Sequence, residues 1–400
     1  MKAYRKFDKV KALVFTSLAH FTNDGNFLLF SLLVVYFYNF NGVSLVFLGA
    51  LATIYNVIYG ILSLPLGKMA DRRDSDSLLL LIGLGLEGSA AALFGLAFLL
   101  RWASEAFIVL GIIALGAGQA FYHPIGASIL SFSFDKKKLG AALGINGSMG
   151  SIGRALAPSL ITFLVLYLGT SIGLETFSVY TWVLALVVYF GLRDFHRTYK
   201  KTERKKLNAA YKMPKALLKK LCLVSAPVFF RSAFLIGTVT FAAEYLYHVT
   251  ASAELTGIIL SISFILPIIG QPIFGYLTSI IGGKQIVSVT TVVSLFAFAA
   301  FLMTDNTIVM TVAYSAVTFL LFNGFSVFLD YSYQLVPPRY YSTSYSFVWG
   351  IGNTLGGAAG LALITYLLTF NGITIAMYYM IVPLAVSIIL LPLLPKDTKL

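Results

Sequence analysis

His20 and Asp24 are the pair in this 400-residue sequence whose types and spacing point most directly to chemistry. Both lie inside an apolar run, residues 12–39, and a separation of four puts them on one face of a helix. Asp24 stands twelve residues into that run, about 18 Å at 1.5 Å per residue. That is near the middle of a hydrocarbon layer about 30 Å thick. A carboxylate at that depth is costly to keep charged unless a cation pairs with it. Asp24 is therefore a candidate proton carrier, with His20 as its relay partner. A buried pair that merely fixes helix packing would use the same two residues.

Other polar groups fall at similar depth in other apolar runs. Glu87 lies ten residues into residues 77–100 and suits either a coupling role or a structural, lipid-facing one. Gln119 and His123 share a helix face within 104–131, with Tyr122 beside them; Pro124 removes a helix hydrogen bond there. His123, Gln119, Tyr122 and Asn23 are candidate cavity-lining, substrate-binding groups. Arg154 and Arg231 are the deep cations. A guanidinium fork suits carboxylate or phosphate, so each could pair with Asp24 or Glu87 or receive an anionic substrate. Asp330 and Tyr331 are expected at an interface, and Glu244 in water. Gly144, Gly147, Gly150 and Gly153, and Gly352, Gly356 and Gly360, form small-residue stripes that let helices approach closely. Their mirrored positions suggest contacts that close one side of the membrane.

The elements that must hold these groups follow from composition. Hydrophobic residues make up 58% and charged residues 11%, against about 45–50% and 25% in soluble domains. The chain reads as an all-α integral membrane protein. Twelve runs reach spanning length: 12–39, 44–66, 77–100, 104–131, 139–167, 172–192, 221–247, 255–278, 285–303, 307–330, 341–369 and 372–394. Barrel strands would be about ten residues of alternating pattern, which these are not. Between the sixth and seventh runs lies a basic stretch, 193–220, with eleven Lys or Arg against Asp194 and Glu203. The expected domains are a bundle at 1–192, the linker at 193–220, and a bundle at 221–400. With the first residue placed inside, 26 of the 29 Lys and Arg fall on the inner side and one, Arg101, outside. That asymmetry predicts both termini in the cytoplasm of a plasma-membrane protein.

The net charge of +13 sits beside spans, where anionic lipid headgroups are nearer partners than nucleic acid. The first run lacks a small-residue cleavage site and is expected to be retained as a helix. Cys222 is the single cysteine, which excludes an internal disulfide. Neither a Walker loop nor a Cys/His metal spacing occurs, so no cofactor or metal is expected, and no nucleophile–base pair suggests an enzyme.

Pro65 to Arg73 ends the second run and Ile273 to Ser279 the eighth, with Gly67 and Gly275 208 residues apart. Two related halves of six helices place a substrate site between them at mid-membrane. Twelve spans, a basic central loop and Gly67-x-x-Ala70-Asp71-Arg72 resemble the major facilitator superfamily over essentially the whole chain. Ala19-His20-Phe21-Thr22-Asn23-Asp24, Phe121-Tyr122-His123-Pro124 and Gly153-Arg154-Ala155-Leu156-Ala157-Pro158 resemble its fosmidomycin-resistance exporter group. The resemblance implies alternating access, with Gly67, Asp71 and Arg72 gating the cytoplasmic side. It also implies proton-coupled export of a small anionic or amphipathic compound by a monomer. Proton-coupled uptake of an organic anion is the alternative, and a non-transporting receptor a more distant one. One departure bears on coupling: the Arg-x-x-x-Gly arginine of many drug exporters is replaced by Ile112, if Gly116 is the glycine of that pattern.

Overall fold

In a bilayer core only the chain itself can satisfy peptide N–H and C=O groups, and a long apolar run does so as a helix. The computed structural model describes residues 8–72, 75–134, 136–195, 213–337, 344 and 347–396, and all regular secondary structure among them is helical. The first bundle comprises α1 (Lys9–Phe27, continued by Leu29–Asn39), α2 (Leu45–Arg72), α3 (Asp76–Leu99), α4 (Ser104–Ser133), α5 (Lys136–Leu168) and α6 (Thr170–Leu192). Six follow: α7 (Lys215–Thr250), α8 (Ala253–Ser263 and Leu266–Ile281), α9 (Gly283–Leu302), α10 (Thr307–Leu321 and Gly324–Leu335), α11 (Val348–Leu355 and Gly356–Leu368) and α12 (Ile373–Tyr379 and Ile381–Leu390). Among the described residues eleven stretches are long and apolar enough to cross a membrane, and α10 supplies a shorter apolar helix, Thr307–Leu321.

Residues 196–212 of the basic linker lie outside the described residues, and α7 already begins at Lys215, within the expected linker. The side chains of Gly67, Asp71 and Arg72 also lie outside the described residues, although the α2 backbone runs to Arg72.

Interruptions have local causes. The α8 break precedes Pro267 and the α12 break precedes Pro383, as expected where a ring removes a donor and crowds the preceding turn. The α10 break falls at Phe322 and Asn323, just before Gly324. The first part of α11, Val348–Leu355, is wound as a π-helix, a geometry frequent at functional sites.

Small residues set the closest helix contacts. A Cβ on Gly153 of α5 would run into the Phe21 carbonyl of α1, and Gly25 of α1 packs back on the Gly153 carbonyl. In the second bundle Gly356 and Gly360 of α11 lie on the Phe229 and Ala233 backbone of α7. Gly153, Gly356 and Gly360 thus join helices within each bundle, α1 to α5 and α7 to α11, whereas Gly147 of α5 faces Gln271 of α8 in the other bundle. Aromatic packing repeats too: Phe37 of α1 stacks on Phe98 of α3 at 4.7 Å, and Phe234 of α7 meets Phe298 of α9 at 4.7 Å.

The bundles meet through other pairs. Gly49 and Gly60 of α2 pack on Thr365 and Thr354 of α11, and Gly257 of α8 packs on Thr162 of α5. Asn39 at the end of α1 donates to Glu244 of α7 at 2.8 Å. Glu244 is 2% exposed, so the expectation of a solvated carboxylate was wrong. The Asn39 amide substitutes for water there. Tyr331 is also buried, its hydroxyl donating to the Pro395 carbonyl at 2.7 Å. Asp330 accepts from Gln334 at 2.8 Å. Outward-facing Ile61, Val179, Val312 and Ile389 are exposed, as a lipid-facing surface requires.

Candidate functional site

The site is built where α1, α4 and α5 converge. Gly150 of α5 sits against the Asp24 carboxylate and the His20 ring: a Cβ there would come within 2.5 Å of Asp24 Oδ2 and His20 Nε2. A glycine at this position therefore makes the room in which the pair lies. One helical turn on, Arg154 reaches across from α5 and donates through Nη1 to Asp24 Oδ2, while Nη2 donates to Ser151 Oγ at 2.9 Å. The guanidinium also lies over the Phe322 ring at 5.5 Å. His20 Nε2 is 3.2 Å from Asp24 Oδ2, and His123 Nε2 is 3.8 Å from Oδ1. Asp24 is 3% exposed. One carboxylate is thus surrounded by a guanidinium and two imidazoles.

Of the two cations that sequence left open, Arg154 is the one placed on Asp24. Arg231 instead donates through Nη2 to the Leu320 and Leu321 carbonyls, at 3.0 and 3.4 Å, and lies over the Phe328 ring at 5.2 Å. Those carbonyls end the first piece of α10, where a helix carries partial negative charge.

Glu87 is buried and faces α4 rather than lipid: Gln119 Nε2 donates to its Oε1 at 3.2 Å. Gln119 Nε2 also donates to the Asn23 carbonyl at 2.6 Å. Asn23 Nδ2 donates to Gln119 Oε1 at 3.2 Å and to Asp24 Oδ1 at 3.0 Å. Two amides therefore separate Glu87 from Asp24. Tyr122 turns away from the centre, its hydroxyl standing 3.0 Å from the Thr16 carbonyl and 2.9 Å from Asn146 Oδ1.

A cavity of about 120 Å³ opens beside Asp24 and Arg154, bounded by both bundles. The first contributes His20, Asn56, Tyr59, Gln119 and His123; the second contributes Gln271, Phe322, Trp349 and Asn353. The volume admits several waters or a small polar molecule. Among the described residues, its titratable charge is on the first-bundle wall, and the second offers amides and rings. His20, Asp24 and His123 have donor atoms within 4.8 Å of one another. With Arg154 already on Asp24 Oδ2, that carboxylate is neutralised by a guanidinium, and a second cation there would be repelled.

Sequence reasoning missed Asn146, Asn56, Tyr59, Gln271, Trp349 and Asn353. Asn146 stands inside the glycine-rich stretch, and an amide among glycines and aliphatics in a spanning helix was the available signal.

The comparisons agree with this architecture. Residues 15–348 match the family model of the Major Facilitator Superfamily. The chain belongs to that superfamily, in keeping with its eleven described apolar stretches of membrane-spanning length. It is 28% identical over 128 residues to the probable L-galactonate transporter of Escherichia coli K12, covering 32% of this chain and 27% of that protein. It is 26% identical over 152 residues to the membrane sensor protein UhpC of Salmonella typhimurium LT2, covering 37% and 32%. The chain thus aligns with about a third or less of the length of these relatives. Among solved structures, a bacterial homologue of the human lysosomal transporter Spinster, in an inward-facing and occupied conformation, superposes with a TM-score of 0.72. The two share 16% identity over 98% and 97% of the chains. The nucleoside transporter NupG superposes with a TM-score of 0.73 at 16% identity, over 96% and 98%.

Proposed function

We propose that this protein is a proton-coupled symporter of a small organic anion, working by alternating access between residues 1–192 and 221–400 about the central cavity. The observation that carries the reading is the Arg154–Asp24 pair in the cavity wall. An incoming carboxylate claims the guanidinium and displaces Asp24 from it. Asp24, left in a desolvated site without its cation, then takes a proton. Anion and proton favour each other's binding, and such coupling is reciprocal. That sign gives co-transport, so an inward proton gradient drives uptake.

Proton-driven export, the function of the exporter group that the helix motifs resemble, needs the opposite sign, with substrate and proton competing for one group. The relative described as a probable L-galactonate transporter, whose named substrate is a hydroxylated carboxylate, supports the anion reading. The amides Gln271 and Asn353 opposite Arg154 suit the polar body of such a molecule. In this reading Arg154 and His123 contact substrate, with Gln119 and Asn23 fixing Asp24. Arg231 holds α10 and stands in reserve for a second anionic group. Glu87 is reached through two amides, which hold position rather than pass protons, so the transported charge is assigned to Asp24 and His20. Gly67, Asp71 and Arg72 are assigned to gating, and both termini to the cytoplasm of the plasma membrane. A potential of 100 mV supplies about 2.3 kcal/mol per charge moved.

The test is transport into proteoliposomes of a panel of small organic acids that begins with L-galactonate, under an imposed pH gradient. The expected result is accumulation on the alkaline side with concurrent alkalinisation of the acidic side. Anion movement against the direction of proton flow would overturn symport in favour of export.

A further inference from the structure

The proton-coupled reading leaves open which atom holds the transported proton, and a chain of hydrogen bonds behind His20 bears on that. His20 Nδ1 is 2.9 Å from Asn146 Oδ1, on the side of the ring away from Asp24. An amide can face an imidazole nitrogen with either its oxygen or its NH2, so the tautomer of His20 depends on how Asn146 is turned. Thr16 decides this. Its hydroxyl has one proton, and that proton goes to the Ala12 carbonyl at 2.6 Å. Toward Asn146, 3.4 Å away, Thr16 Oγ1 can only accept. Presenting Nδ2 to Thr16 and Oδ1 to His20 is the orientation that makes this contact a hydrogen bond. That orientation lets Tyr122 give its one hydroxyl proton to Asn146 Oδ1 at 2.9 Å rather than to the Thr16 carbonyl at 3.0 Å. An acceptor oxygen facing Nδ1 requires a proton on Nδ1, so Nε2 is the nitrogen left to titrate. Nε2 is the atom 3.2 Å from Asp24 Oδ2.

We infer that Asn146 is a positioning residue for proton coupling, and that with Thr16 it makes His20 Nε2, facing Asp24, the atom on which the transported proton is held. When a proton arrives, Nε2 is protonated and donates to Asp24 Oδ2. When it leaves, the Nε2 lone pair faces a carboxylate that only Arg154 neutralises. The same proton is thereby shared between one imidazole nitrogen and one carboxylate oxygen, and no other bond is made or broken. The charged and titratable groups around His20 are Asp24 on its own helix, Arg154 on α5, and Tyr122 and His123 on α4, with ring centroids at 4.6 and 5.4 Å. Glu87 on α3 stands behind Gln119. From α6, Gly191 packs on Phe15, five residues before His20.

The experiment is nitrogen NMR of the full chain in lipid nanodiscs with 15N-labelled histidine. The four histidines, His20, His123, His196 and His248, are assigned by single replacement with glutamine, and the sample is titrated until His20 is neutral. The expected neutral form has Nδ1 protonated and Nε2 bare. Asn146→Leu is expected to abolish that preference, and Asn146→Asp, which keeps an acceptor oxygen, to preserve it. A neutral wild-type His20 protonated on Nε2 overturns the inference. So does an Asn146→Leu spectrum unchanged from wild type, or a His20 that stays doubly protonated throughout. If Asn146→Leu does not fold, the wild-type tautomer alone decides. The inference rests on the symport reading, but this readout needs no substrate. Failed anion–proton co-transport with Nδ1–H confirmed rejects the reading, and the converse rejects the inference.

Discussion

At the scale of single residues, the site is one carboxylate shared among three potential cations. Asp24→Asn mimics the protonated side chain and releases Arg154. The variant is expected to bind the anion at least as tightly as wild type, with pH dependence lost, and to exchange substrate without accumulating it. Binding across pH and counterflow in proteoliposomes check both halves of that outcome; accumulation against a gradient by Asp24→Asn would contradict it. Arg154→Lys is expected to retain a charge but lose the planar fork that grips a carboxylate at two points, weakening anion binding by about tenfold, or about 1.4 kcal/mol. Arg154→Gln is expected to lose more and also to lower stability, because removing one partner of a buried ion pair costs about 3–5 kcal/mol. Depth along the apolar run was enough to find Asp24, His20 and Arg154 in the sequence, since ionisable side chains are scarce there. Which arginine pairs with Asp24 was not legible. Arg154 and Arg231 have similar depths, and the choice turns on helix rotation and on the proximity of α1 to α5, which Gly150 and Gly153 set.

At the scale of the element, the spans were legible because length and hydropathy alone define them. Their breaks at Phe322–Asn323 and along the π-helical Val348–Leu355 were not, because no residue there forbids a regular α-helix outright. Asn146 was not legible in the sequence because its role depends on facing His20 of α1 from α5, a pairing that only the helix packing creates. The glycine stripes were legible as packing faces, but not which helix each face meets. Gly153→Val forces a branched side chain into the Phe21 carbonyl, and overpacking of this kind costs about 1–3 kcal/mol. The thermal unfolding midpoint in detergent is expected to fall by several degrees and transport to be lost. Gly144→Val is the control: a Cβ at Gly144 meets nothing within 4 Å, and this variant is expected to stay close to wild type. Equal losses in the two variants would contradict the assignment of α1–α5 packing to Gly153.

At the scale of the whole molecule, two six-helix bundles enclose a cavity with charge on one wall and neutral polarity on the other. The bundles touch through Gly49 and Thr365, Gly257 and Thr162, and Asn39 and Glu244, at the ends of α1, α5, α7 and α11 farthest from residue 8, and deeper through Gly60 and Thr354 and through Ser148 and the Ile268 carbonyl. Rocking must open these contacts. With Cys222 replaced by serine, Gly49→Cys and Thr365→Cys are expected to form a disulfide that stops transport on oxidation and releases it on reduction. Undiminished transport by the oxidised protein would contradict alternating access across this seam.

The claim from which the rest follows is the sign of linkage between anion and proton. It is read most directly as the net protons taken up when the best-transported acid of the panel binds to the purified protein, measured by calorimetry in buffers of different ionisation enthalpy. Wild type is expected to take up close to one proton per anion bound in the pH range where Asp24 is unprotonated, and Asp24→Asn close to none. Proton release on binding by the wild-type protein would contradict the account and identify substrate and proton as competitors.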